Sequence, residues 1–263
     1  MSLDLIMGDT IFESGIGIDL PVNDGLLSFG LGGDLFGVNL VDGGVQPTIV
    51  GNPTRIDAYS TLLGPNGYLD LNIKETKAFT YFSVNKLWVS GSGGNSQFIG
   101  TFQSFASDGT TAVVGSGIVM ESDGKRDVIA AMINGSTNAS YSNNAFITDA
   151  SDLPTTEAAA EWRCLAAMFD PTGVYNPSNL RYKYIWDKTK NKVQSGGTTS
   201  TTDVRDLRGT ATIRVGNTGP RITQNRSFPY MGHAVFNRAL TSTEMTLMYN
   251  RFRDIGEIQG MSL

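Results

Sequence analysis

The sequence predicts an all-β fold: an antiparallel sandwich with one short C-terminal helix and an irregular N-terminal segment. Three observations lead there. Short runs rich in β-branched and aromatic residues recur along most of the chain. Between them fall dipeptides that tolerate positive φ and close hairpins: Asn66-Gly67, Asp108-Gly109, Asp123-Gly124 and Asn134-Gly135. Helix signals come together in one place, after residue 240, and nowhere is there a repeat of constant period.

Residues 1–50 form the irregular segment. They are rich in Gly, Leu and Asp, and the first basic residue of the chain is Arg55. Ile16, Ile18 and Leu20 alternate, Pro21 and Asn23-Asp24-Gly25 turn the chain, and Leu26–Leu31 is apolar without a clear period. Two readings are open: edge strands and loops covering the sandwich, or a segment that attaches to another protein or a sister subunit. The run Leu31-Gly32-Gly33-Asp34-Leu35-Phe36-Gly37-Val38 would leave apolar groups exposed as an isolated loop. A boundary is therefore expected at residue 50, with 51–263 as the sandwich domain.

Strands are expected at 68–73, 79–84, 98–102, 116–120 and 128–133, each about a strand long. The polar stretches 91–96 and 195–202 are expected to be loops. Near the end, the apolar run 229–240 passes straight into a helix start. There the Thr241 hydroxyl can accept from the Glu244 N–H, and the Glu244 carboxylate can reach back to Thr241. Met245, Met248 and Phe252, with Leu247 and Tyr249 beside them, give this helix one apolar side, and Gly256 is expected to stop it.

Composition narrows the function classes. Hydrophobic residues at 40% against 17% charged argue for a packed domain and against a disordered one. The net charge of -5 and the lack of a basic stripe speak against nucleic-acid binding. Arg251 and Arg253, the most basic piece, fall at the helix end, where cations oppose the dipole. Cys164 is the single cysteine, so an intrachain disulfide is excluded. The first nine residues carry two acids and no basic residue, unlike a signal peptide, and no run nears the roughly 20 apolar residues of a membrane span. Synthesis in a cytoplasm, with any export by lysis or by assembly into a particle, is the expectation.

Several stretches then follow one another in a telling order. They are Tyr59-Ser60-Thr61 through Gly67-Tyr68-Leu69-Asp70, Phe79-Thr80-Tyr81-Phe82-Ser83-Val84, residues 161–170 with Trp162 as an inward anchor, residues 212–217, and the strand-to-helix passage at 229–244. Together they span roughly residues 55 to 255 and resemble the concanavalin A-like (laminin G-like) jelly-roll domains of lectins, pentraxins and many phage virion proteins. The resemblance implies a jelly roll that binds sugar, hydrolyses it, or serves assembly alone.

The residues give little support to catalysis. A retaining glycosidase needs two carboxyls about 5 Å apart, and no strand carries acids at that alternation. Glu121-Ser122-Asp123 comes nearest, but Asp123-Gly124 reads as a turn. His233 is the sole histidine and sits in an apolar strand, which suggests a packed, hydrogen-bonded role. Cys164 reads as a small core residue. Lectin members of the resembled family bind calcium; Asp149, Asp152, Asp170, Asn176 and Asp187 are available, but no motif spaces them for it, so neither metal nor cofactor is expected. Sugar binding needs aromatic faces with amide partners in loops. Tyr141 with Asn143, and Tyr175 with Asn176, have that composition and are the candidate ligand residues.

The expected function is that of a non-enzymatic virion protein: a tail-fibre or tail-tip component contacting host surface glycan, docked to other virion proteins through residues 1–50 and assembled as a homo-oligomer. Two alternatives stand beside it, a capsid decoration protein that binds no sugar and a glycan hydrolase.

Overall fold

The computed structural model describes residues 18–89, 91, 94–135, 137, 139–175, 182–196, 203–217 and 226–263. Residues 1–17, which open the expected attachment segment, and residues 197–202 of the expected polar loop lie outside the described residues. The described strands are β1 (Leu26–Leu31), β2 (Thr48–Gly51), β3 (Thr54–Arg55), β4 (Thr61–Leu63), β5 (Gly67–Asp70), β6 (Phe79–Leu87), β7 (Ser96–Gly100), β8 (Ser104–Phe105) and β9 (Ala112–Val113). They continue with β10 (Ser116–Met120), β11 (Arg126–Ile133), β12 (Ser140–Ile147), β13 (Glu161–Asp170), β14 (Tyr182–Asp187), β15 (Lys192–Gly196), β16 (Val204–Arg205), β17 (Arg214–Val215) and β18 (Phe228–Phe236). One helix, α1 (Ser242–Ile258), follows, and no described helix is long and apolar enough to cross a membrane.

Two eight-stranded antiparallel sheets make the jelly-roll sandwich that the sequence predicts. The first runs β15-β14-β13-β6-β18-β4-β3, with β1 also paired to β18. The second runs β12-β11-β10-β7-β17-β5-β2, with β16 on β11, and β8 and β9 form a small ribbon apart. Strand alternation builds two apolar layers from this arrangement. Phe79, Tyr81, Leu165, Phe169 and Ile185 of the first sheet meet Phe98, Ile118, Val128 and Met132 of the second between the sheets. The opposite face of the first sheet presents Phe82, Val84, Ala166, Met168 and Phe236 to Met245, Met248 and Phe252 of α1.

This alternation corrects the expectation for Trp162. In β13 the side chains of Leu165, Ala167 and Phe169 enter the inter-sheet core, whereas Cys164, Ala166 and Met168 face the helix layer. Trp162 shares parity with the second set, so it stands half-buried on the outer face and not inward.

The segment 18–50 is woven into both sheets. β1 pairs with β18, β2 pairs with β5, and Thr48–Gly51 runs through position 50. Leu20, Val22, Phe29, Leu31 and Leu40 are buried in the helix-side layer, and Phe36 sets its ring edge toward Tyr230 at 6.3 Å.

Of the turn dipeptides, Asp108-Gly109, Asp123-Gly124 and Asn134-Gly135 close the hairpins β8–β9, β10–β11 and β11–β12. Asn66-Gly67 instead carries the chain from β4 in one sheet to β5 in the other, a bend between layers. The helix starts as predicted: Thr241 N–H donates to Glu244 Oε2 at 2.7 Å, and Glu244 N–H donates to Thr241 Oγ1 at 3.3 Å. It stops later than predicted. Gly256 is a buried helical residue, and the reversal comes at Gly260 with φ +72. There Met261 N–H reaches the Gly256 carbonyl at 2.8 Å and Gly260 N–H reaches that of Glu257 at 3.0 Å, the paired bonds of a left-handed helix end.

Candidate functional site

The structure places the candidate ligand residues apart. Tyr141 lies in strand β12 opposite Met132, not in a loop; its ring packs on the inter-sheet core and its hydroxyl donates to Asp203 Oδ2 at 2.5 Å. Asn143 follows in the same strand opposite Ala130, and its side chain, like all of Asn176, lies outside the described residues. Tyr175 sits in the turn after β13. Its N–H donates to Asp170 Oδ2 at 2.7 Å, and its ring stands edge-on to Tyr184 and Trp186 at 4.1 and 5.4 Å in the helix-side layer. The two tyrosines thus belong to different layers.

Most of the ionisable groups that suggested chemistry are committed within the chain. His233 is 1% exposed, with Nε2 2.9 Å from Ser28 Oγ and Nδ1 2.6 Å from the Tyr230 hydroxyl, the packed role predicted for it. Burial pushes its pKa down to about 3, so the ring is neutral at physiological pH. Burial likewise pushes the Cys164 thiol well up, leaving it inert. Asp170 accepts from the backbone N–H groups of Thr172, Gly173 and Tyr175, all turn bonds. Asp152 and Asp187 join buried Arg126 and Arg163 in a network across the sheets, with Arg163 Nη1 3.0 Å from Asp152 Oδ2 and 3.2 Å from Asp187 Oδ2. Asp149 pairs with Lys192 at 2.7 Å. Among the described residues no group of three or more His, Cys, Asp and Glu is arranged to hold a metal ion. Glu121 and Asp123 flank Lys125 at the β10–β11 turn, the polar hairpin tip expected of them.

A groove lies open on the outer face of the first sheet. Two adjoining hollows of about 500 and 510 Å³ share Lys86, Trp162, Gly260 and Met261. Lys86 of β6 and Trp162 of β13 are direct cross-strand partners, and the Lys86 Nζ stands 5.4 Å from the centre of the indole ring. One wall is the β3–β4 loop. Asp57 Oδ1 accepts from the N–H groups of Tyr59 and Ser60 at 2.8 and 2.7 Å, which holds Ile56 and Tyr59 out into solvent at 49% and 37% exposure. The opposite wall is the turn at Gly260 that ends α1. At the far end, Glu161 pairs with Arg163 at 2.9 Å and with Lys190 at 3.4 Å. Lys86 differs from Lys190 in having no carboxylate within 4 Å among the described residues. The arrangement offers aromatic surface, an ammonium and backbone-held polar groups in an open trough, which suits a flat amphipathic ligand better than a reaction.

The groove is not legible in the sequence. β13 is apolar on both faces from Cys164 to Phe169, so no alternation marked the direction of Trp162, and its pairing with Lys86 depends on register between strands about 75 residues apart.

No family model matches the chain, and no curated protein matches it. Solved structures do. The receptor binding domain of botulinum neurotoxin D matches with TM-score 0.55 at 14% identity, over 87% of this chain and 53% of that one. The botulinum neurotoxin serotype D ligand binding domain in complex with N-acetylneuraminic acid matches with TM-score 0.55 at 12% identity, over 87% and 51%. A mutant of Trypanosoma rangeli sialidase displaying trans-sialidase activity matches with TM-score 0.54 at 13% identity, over 86% and 33%. The chain spans about half the length of the toxin domains and a third of the sialidase. At these identities the likeness is one of fold.

Proposed function

We propose that this chain is a non-catalytic, glycan-binding jelly-roll domain of a phage or prophage virion protein, placed at a tail fibre or tail tip where it meets host surface carbohydrate. The observation that carries the glycan reading is the groove in which Trp162 and Tyr59 offer aromatic surface beside Lys86. Sugar rings bind such surfaces through their C–H faces, while the polar rim meets their hydroxyls. Two of the solved structures with this fold bear on carbohydrate in the same sense, one carrying N-acetylneuraminic acid and one being a sialidase.

The non-catalytic reading rests on the carboxylates of the groove. Asp57 is spent on backbone donors, and Glu161 is ion-paired to Arg163 and Lys190, so neither is poised as an acid or nucleophile. The virion reading rests on the sequence resemblance to phage jelly rolls and on a fold held without any disulfide. Docking we assign to the segment 1–50, of which Leu26–Leu31 and Thr48–Gly51 also pair within the sheets.

A glycan array probed with the purified chain and with Trp162→Ala and Tyr59→Ala tests the proposal. Binding by the wild type that both variants lose, with thermal stability retained, supports it. Binding lost with Tyr141→Ala or Tyr175→Ala in folded protein, and kept by the groove variants, would move the site to strand β12 or to the turn after β13.

A further inference from the structure

The groove carries a charge that no carboxylate within 4 Å neutralises among the described residues. Lys86 projects from the middle of the first sheet, and its ammonium has the Trp162 ring as neighbour and no carboxylate within 4 Å among the described residues. Both acids of the groove are engaged elsewhere: Asp57 with the Tyr59 and Ser60 amides, Glu161 with Arg163 and Lys190. Lys190 enters the same groove already paired. An ammonium left without a counter-charge beside an aromatic plane is complementary to a ligand bearing both an anion and an apolar face.

We infer that the groove selects an acidic sugar, a residue carrying a ring carboxylate, with Lys86 as the specificity-determining cation. This rests on the glycan-binding reading above and adds the ligand class to it. The sugar's C–H face lies against Tyr59 and the open part of Trp162, and its carboxylate meets the Lys86 ammonium. The geometry of the walls favours a short segment of one chain: the trough is bounded by the Asp57-held loop on one side and the Gly260 turn on the other. A neutral sugar keeps the aromatic and rim contacts and lacks the ion pair.

The test compares oligosaccharides of galacturonic acid, glucuronic acid and N-acetylneuraminic acid, each beside its carboxyl-reduced counterpart, by titration calorimetry on the full chain. At least one acidic form is expected to bind tighter than its reduced partner by on the order of tenfold or more, the range of a charge-assisted hydrogen bond. Lys86→Gln is expected to erase that difference, Lys86→Arg to restore it, and Lys190→Gln to leave most of it in place. Thermal melts of each variant check that the fold survives. Equal binding of acidic and reduced forms, unchanged by Lys86→Gln, would overturn the inference while leaving the glycan-binding function standing. Failure of every acidic, reduced and neutral sugar to bind would remove the function itself and the inference with it.

Discussion

Replacing His233 by Gln should change how stability depends on pH. His233 is enclosed by Ser28, Tyr230 and Gly30, where even a methyl group on Gly30 would come within 2.5 Å of the ring. Burial lowers its pKa from 6.5 to about 3. Between those values the unfolded chain binds a proton that the folded chain refuses, so this residue's contribution rises with pH and is lost as pH falls through the window. Each unit is worth about 1.4 kcal/mol, so from about pH 7 to pH 4.5 the wild type should lose ~2.7 kcal/mol that the Gln variant keeps. At neutral pH the variant starts lower by about 1–3 kcal/mol, because Gln cannot satisfy both hydroxyl partners as the ring does. The two stability curves should therefore converge on acidification. Urea unfolding followed by tryptophan fluorescence at half-unit pH steps measures this directly. Parallel curves over that range would refute the argument and mean that His233 takes up its proton in the folded state.

Asp127 should act in the opposite sense. Burial raises its pKa to about 8, so the folded chain holds a proton that the unfolded one lacks, and stability falls as pH rises; Asp127→Asn should gain about 2–3 kcal/mol on the wild type between about pH 5 and pH 7 in the same unfolding assay. Arg163→Met should cost about 3–5 kcal/mol in urea unfolding, because among the described residues it leaves the buried Asp187 carboxylate with one cation within 4 Å, Arg126 at 3.6 Å. Gly260→Ala meets open space but keeps a φ of +72, so strain alone should cost about 1 kcal/mol, read as a lowered melting temperature.

The fold was legible where local chemistry speaks for itself. The Thr241–Glu244 cap, three of the four hairpin dipeptides and the strands β6, β10 and β11 stand where their residues imply. Strand β12 was not legible: Ser140-Tyr141-Ser142-Asn143-Asn144 reads as a polar loop, and its pairing with β11 is what makes it a strand. The helix end was misread for a local reason. Gly256 and Gly260 both suit a terminus, and the choice is made by Met261 and Leu263 folding back on the Gly256 turn. The site was the least legible part. Its loop wall, its lysine and its indole lie far apart in sequence, and strand register alone brings them together. Tyr141 and Tyr175 had the right composition for sugar contact, yet Asp203 engages one and the Tyr184–Trp186 pair packs against the other.

The central claim, that sugar is bound in the groove beneath Lys86, can be read at a single atom. The chain has three tryptophans: Trp88 and Trp186 are buried, at 7% and 8% exposure, and Trp162 lines the groove. Labelling them with 5-fluorotryptophan and following the fluorine resonances as an oligosaccharide ligand is added separates the three positions. Sugar in the groove should shift and saturate the Trp162 resonance while the other two stay in place. A ligand that moves the Trp186 signal, or binds with the Trp162 signal unchanged, would contradict it.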